Sequence, residues 1–119
     1  MDIMSLLEVW TDLTGETAVV HAAGEVDMSN AQQLLGATHG ACGEIREPTP
    51  LVVDLTGITF FGSSGISVLL QTHHQCQAQR TPLRVIATSR VRRTLHICGL
   101  DRVLDIQDSL TAATRVQVT

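Results

Sequence analysis

Apolar and polar positions along the chain change period several times, and each change marks a boundary between elements. Residues 7 to 13, LEVWTDL, alternate Leu7, Val9, Thr11 and Leu13 against Glu8, Trp10 and Asp12, the period of two of a strand with one solvated face. Thr14-Gly15-Glu16 then turns the chain into a second strand from Thr17 to Ala23, and so short a connection predicts an antiparallel hairpin. Trp10 falls on its polar side. Gly24-Glu25-Val26-Asp27 leaves the second strand, and Ser29-Asn30-Ala31-Gln32 has the form of a capping box that starts a helix. Ala31, Leu34, Leu35, Thr38 and Cys42 make its apolar stripe. Gly36, Gly40 and Gly43 weaken it, since an interior glycine costs about 1 kcal/mol relative to alanine. It is expected to be the least stable helix unless close packing on the sheet requires the glycines. The segment 44 to 50 connects, and its prolines stop the helix.

The stretch 51 to 70, LVVDLTGITFFGSSGISVLL, organises the rest. Leu51 to Leu55 is short, apolar and β-branched, whereas Ile66, Leu69, Leu70 and His73 recur at helical spacing, so a buried strand runs through a turn into a helix. The turn is Gly62-Ser63-Ser64-Gly65, which places both hydroxyls at a helix N-terminus. Serine there most often caps the helix. Free backbone N–H groups and the positive end of the helix dipole also suit an anionic group, whether bound or attached covalently to serine. Arg80-Thr81-Pro82 ends this helix, and Leu83 to Ala87 reads as a strand. Ser89 caps a further helix through Val91, Leu95 and Cys98, which stops at Gly99. Val103 to Ile106 is the last strand, and Asp108 or Ser109 caps a final helix of about two turns.

That order predicts an α/β fold: a mostly parallel sheet with an antiparallel N-terminal strand, right-handed crossovers and about four helices. Loops after parallel strands gather on one sheet edge, where open α/β folds bind. Asp27, the Ser63-Ser64 turn and the Thr88-Ser89-Arg90 turn belong to that edge.

With 119 residues, 44% of them hydrophobic and 17% charged, the chain fits a single domain over 1–119. No apolar run reaches the roughly 18 residues of a membrane span, and the N-terminus lacks the features of a signal peptide, so a cytoplasmic location without membrane association is expected. A net charge of −4 argues against nucleic acid. The eight basic residues are all arginine, and their only cluster, Arg90, Arg92 and Arg93, reads as a solvated helix face. Cys42, Cys76 and Cys98 are odd in number and lack C-x-x-C spacing, as in a reducing compartment.

Other chemistry is weakly supported. Gly62 and Ser64 fit a G-x-S-x-G nucleophile elbow, but Ile66 stands at the final glycine and His96 is carried away from the edge by its helix, so no catalytic residues are assigned. His73 and His74 point about 100° apart and no second cluster completes a metal site. No metal or cofactor is expected. Cys76 and Cys98 fall on the inward stripes of consecutive helices, as buried free thiols or as a redox bridge.

The run Asp54-Leu55-Thr56-Gly57-Ile58-Thr59-Phe60-Phe61-Gly62-Ser63-Ser64-Gly65-Ile66 resembles the central motif of STAS domains, especially the bacterial anti-sigma factor antagonists. Gly24-Glu25-Val26-Asp27, Ser89-Arg90-Val91-Arg92-Arg93 and Cys98-Gly99-Leu100 are similar to further segments of that family. The resemblance implies the STAS fold and regulation by partner exchange in transcription and stress response. The unphosphorylated antagonist binds an anti-sigma factor, usually a serine kinase, and so frees a sigma factor. A serine phosphatase would reverse the modification. The family's phosphoacceptor corresponds to Ser64. The implied partner surface takes in Asp27, Gly62, Ser63, Gly65, Ser89 and Arg90. This chain has Gly62 where the family commonly carries an acidic residue. The alternative is an unphosphorylated STAS module that binds partners or a small ligand in a stress-signalling assembly.

Overall fold

The computed structural model describes residues 6–14, 17–46, 48–110 and 113. Strands β1 (Leu7–Thr14) and β2 (Thr17–Val26) are followed by helix α1 (Ala31–Cys42), strand β3 (Leu51–Phe61), helix α2 (Ser63–Gln79), strand β4 (Leu83–Ile86), helix α3 (Ser89–Ile97), a 3-10 turn (Leu100–Arg102) and strand β5 (Asp105–Gln107). The sheet order is β1-β2-β3-β4-β5, with β1 antiparallel to β2 and every other pair parallel. The expected α/β architecture is thus present. The hairpin forms as expected, with Thr14 paired to Thr17, while Gly15 and Glu16 of the expected turn lie outside the described residues.

Because the parallel strands are added in one direction, right-handed crossovers carry the helices to the same face. Ala18, Val20 and Ala22 of β2 and Leu51, Val53 and Leu55 of β3 join Leu34, Leu69 and Leu95 of the three helices in one core. Val19, Val52 and Ile86 project the other way and pack with Ala113. Burial on both faces explains why β3 begins as an unbroken apolar run. The final expected helix falls mostly outside the described residues; Leu110 and Ala113 are helical, and the Ala113 N–H donates to the Ser109 carbonyl at 3.0 Å.

Several boundaries move. β2 and β3 run to Val26 and Phe61, so Gly24 to Val26 and Thr56 to Phe61 are strand rather than loop. Gly57 serves a close approach between strands: a Cβ there would lie 2.9 Å from the Ala23 Cβ. Leu13, placed by alternation on the inner face, is 60% exposed, beyond the reach of the helices. Ser29 does not form the capping box; its hydroxyl and N–H both bind Asp27 Oδ1, at 2.6 and 2.8 Å, and Asn30 stands at the N-cap without a side-chain cap bond. In α2 the buried stripe is Gly65, Val68, Leu69, Thr72 and Cys76, with Ile66 and Leu70 half-buried beside it and His73 on the flank. Thr88, not Ser89, holds the N-cap position of α3, and Gly99 ends that helix in the left-handed conformation at φ 77°. β5 starts two residues later than expected, after Val103 and the buried Leu104.

The cysteine pairing also changes. Cys98 is exposed, whereas Cys42 and Cys76 are buried with their sulfurs 3.5 Å apart between α1 and α2. The two apolar stripes set that phase, bringing Thr38 against Thr72 and Cys42 against Cys76 one turn later.

On the opposite sheet face, His21 links three strands. Its Nδ1 lies 2.8 Å from Asp54 Oδ2 and its Nε2 lies 3.0 Å from Asp12 Oδ2, with the Trp10 ring stacked on it at 5.2 Å. Burial works against the Asp54 carboxylate, but the Thr56 N–H and hydroxyl and His21 outweigh it and hold its pKa below the ordinary value. Asp54→Ala is therefore expected to cost about 1–2 kcal/mol at neutral pH. The sign follows from a depressed native value. The contribution is full above the unfolded value of about 3.9 and is lost as pH falls through the lower native one. Urea melts of both proteins between pH 7 and pH 2 should show a gap that closes only below about pH 4.

Candidate functional site

Parallel pairing of Val26 with Phe61 ends β2 and β3 side by side, so Asp27 and Gly62 leave adjacent strands at the same level. The Gly62 N–H donates to the Val26 carbonyl at 3.0 Å and ties the two exits together. Gly62 is the N-cap of α2, with extended backbone and no side-chain cap bond, and its carbonyl accepts the Gly65 and Ile66 N–H groups at 3.0 and 3.2 Å. The two serines are therefore the first residues of the helix rather than its cap. Ser63 is exposed and Ser64 half-buried. Gly65 is buried because a Cβ would meet the Phe61 ring at 2.7 Å.

Asp27 is fixed by its own loop. The Ser29 hydroxyl and then the Ser29 N–H hold its carboxyl below the usual range, so it presents a negative charge beside the turn. The Asn30 side chain braces the same loop, accepting from the Asp27 N–H at 2.9 Å and donating to the Glu25 carbonyl at 2.9 Å.

The α3 residues divide. β4 pairs only as far as Asp54 with Ile86, so β3 projects well beyond the start of α3. Arg90 bridges that step by donating to the Thr59 carbonyl at 3.3 Å, which attaches it to the end of β3. Ser89 instead lines an open groove of about 660 Å³ between α3 and β5, with Arg92, Arg93, His96, Asp101 and Asp105 among its walls. In that groove His96 Nδ1 pairs with Asp101 Oδ2 at 2.6 Å. Seven residues of helix, about 10 Å, separate His96 from the start of α3. Among the described residues no group of three or more His, Cys, Asp or Glu side chains could hold a metal ion, and no helix is long and apolar enough to cross a membrane.

Two exposed apolar residues join the edge that sequence reasoning did not select. Met28 is 88% exposed beside Asp27, and Phe60 is 51% exposed with its ring 3.2 Å from where a Gly62 Cβ would lie. Strand alternation through Phe60 and Phe61 is the signal for Phe60, and it lies beyond the apolar run Leu51 to Leu55.

Gly62 has an ordinary φ of −81°, and a Cβ would meet the Phe60 ring tip and the Val26 carbonyl at 3.2 and 3.3 Å, which requires a shift of a few tenths of an ångström. Gly62→Asp is therefore expected to fold and to gain a few tenths of a kcal/mol from helix capping. A thermal melt should shift upward by about 1–2 °C; a drop of 5 °C would show that the turn requires glycine.

Comparison with known proteins agrees with this arrangement. The anti-sigma-F factor antagonist RsfA of Mycobacterium tuberculosis is 30% identical over 96 residues, covering 80% of this chain and 75% of that one. RsfB of the same organism, also an anti-sigma-F factor antagonist, is 34% identical over 96 residues, covering 78% and 75%. The crystal structure of an anti-sigma factor antagonist from Mycobacterium paratuberculosis superposes with a TM-score of 0.80 at 28% identity, covering 90% of each chain. Residues 10–113, from the first strand to the last described residue, match the STAS domain model, and the chain belongs to that family.

Proposed function

We propose that this chain is an anti-sigma factor antagonist that docks through the β2–α1 and β3–α2 exits and is switched by phosphorylation of Ser64. The observation that carries the reading is the Val26–Phe61 register, which sets an ionised Asp27 beside the exposed Ser63 and half-buried Ser64 at the head of a long helix. Relatives at 30% and 34% identity are named for antagonism of an anti-sigma factor, which supports the same partner class here. The partner is an anti-sigma factor with serine kinase activity, and a serine phosphatase resets the switch. Asp27, Gly62, Ser63, Ser64, Gly65 and Arg90 form the contact surface, while Ser89 contributes through the α3 groove. The chain acts by binding rather than by catalysis.

Affinity capture with the intact chain, followed by phosphosite mapping of the recovered bait, tests the proposal. Recovery of an anti-sigma factor together with phosphate on Ser64 of the unbound fraction is the expected result. Recovery of that partner with Ser64 unmodified under every growth condition would leave the docking and remove the switch. That is the outcome favoured if Gly62, in place of an acidic residue, denies a kinase its recognition element.

A further inference from the structure

The contact between α1 and α2 is polar along much of its length. The Thr38 and Thr72 hydroxyls share a hydrogen bond at 2.8 Å, Gln75 Nε2 donates to the His39 carbonyl at 3.4 Å, and Gln79 Nε2 donates to the Cys42 carbonyl at 2.9 Å. These directional contacts fix one register between the helices. In that register the Cys42 and Cys76 sulfurs meet at 3.5 Å, with the two residues 0% and 1% exposed. A disulfide requires about 2.05 Å, so each sulfur needs to move by less than about 1 Å.

We propose that Cys42 and Cys76 form a reversible oxidation site, a dithiol that a hydroperoxide converts into a disulfide between α1 and α2. The Cys42 thiolate attacks one peroxide oxygen; an S–O bond forms, the O–O bond breaks, and hydroxide leaves and takes up the thiol proton as water. The Cys76 sulfur then attacks the sulfenic sulfur, forming the S–S bond and expelling the second oxygen as water with the Cys76 proton. Two thiols lose two electrons and the peroxide is reduced to two hydroxyl products, water among them. A small dithiol reverses the bond by exchange.

The fold supplies a gate for this chemistry. Burial and the neighbouring Cys42 thiol raise the Cys76 pKa far above the ordinary thiol range, so in the closed pair Cys76 stays protonated and unreactive. Access comes from local opening of α1. Gly36 and Gly40 lie on that helix with nothing within 4 Å of where a Cβ would be, so packing does not require them, and they lower the cost of opening. Oxidation would then fasten α1 to α2 and close a loop that contains β3 and the whole Ser63–Ser64 turn.

The test uses the intact chain and its Cys98→Ser variant, which keeps both buried thiols and removes the exposed one. Treatment with hydrogen peroxide should give a mass loss of about 2 Da, a peptide joining Cys42 to Cys76 and a rise in Tm of roughly 5 °C or more, all reversed by dithiothreitol. Gly36→Ala with Gly40→Ala should slow the oxidation severalfold without changing its product. Gains of 16 or 32 Da alone, a disulfide that uses only Cys98, or folded protein that keeps both thiols through prolonged exposure to millimolar peroxide would overturn the proposal.

Discussion

Gly24→Ala should lower stability by about 3 kcal/mol or more, whereas Gly36→Ala, the same chemical change, should raise it by about 0.5–1 kcal/mol. Gly24 sits in β2 at φ +109°, a region closed to side chains, and a Cβ there would fall 1.9 Å from the Leu6 carbonyl oxygen. That oxygen cannot yield freely, because it accepts the Glu25 N–H at 2.8 Å next to the pairing of Leu7 with Gly24. The start of β1 must therefore lift away, exposing Leu7, which is 2% exposed in the native core. Gly36 has ordinary helical backbone and open space around it, so its methyl group only restricts the unfolded chain. Thermal unfolding followed by circular dichroism should place Gly24→Ala at least 10 °C below wild type and Gly36→Ala a few degrees above it. Equal melting points for Gly24→Ala and wild type would refute the clash.

The same two glycines show where the sequence was legible. Change of hydrophobic period located every described strand and helix, because burial on one or both faces writes itself into the spacing of apolar residues. A glycine carries no such signature. Gly57 and Gly24 both lie inside strands, one for a close approach to Ala23 and one for a left-handed backbone at an irregular step in the β2–β3 pairing. The strands run past both glycines, and the exposed Phe60 ring belongs to the last alternation of β3. Phase between helices was likewise unreadable: Cys76 pairs with Cys42 rather than Cys98 because α1, not α3, meets the side of α2 that carries Thr72 and Cys76. Arg90 was placed on the right edge, but its route to the site depends on β3 outrunning β4, a difference in strand length that no residue announces.

Ser64→Asp is expected to fold as wild type does and to bind the anti-sigma partner at least thirtyfold more weakly, while Ser64→Ala binds as well as wild type. The folded state tolerates the charge because Ser64 lies in the first turn of α2, whose N-terminal dipole favours an anion by roughly 0.3–1 kcal/mol. The docked state does not. Asp27 already holds a negative charge at the neighbouring strand exit, and the proposed docking would strip water from both groups. Like charges brought to about 4 Å in the docked state would repel by about 4 kcal/mol at an effective dielectric near 20. Half of that corresponds to a roughly thirtyfold loss of affinity. Phosphate, with about −1.5 to −2 charges, should act more strongly than aspartate. The double variant Asp27→Asn with Ser64→Asp separates repulsion from simple bulk: removing the Asp27 charge should restore part of the affinity lost to Ser64→Asp. Isothermal titration of wild type, Asp27→Asn, Ser64→Asp and the double variant with the purified partner closes the cycle, and full additivity of the two changes would mean that Asp27 and residue 64 do not share the charge conflict on which the switch depends.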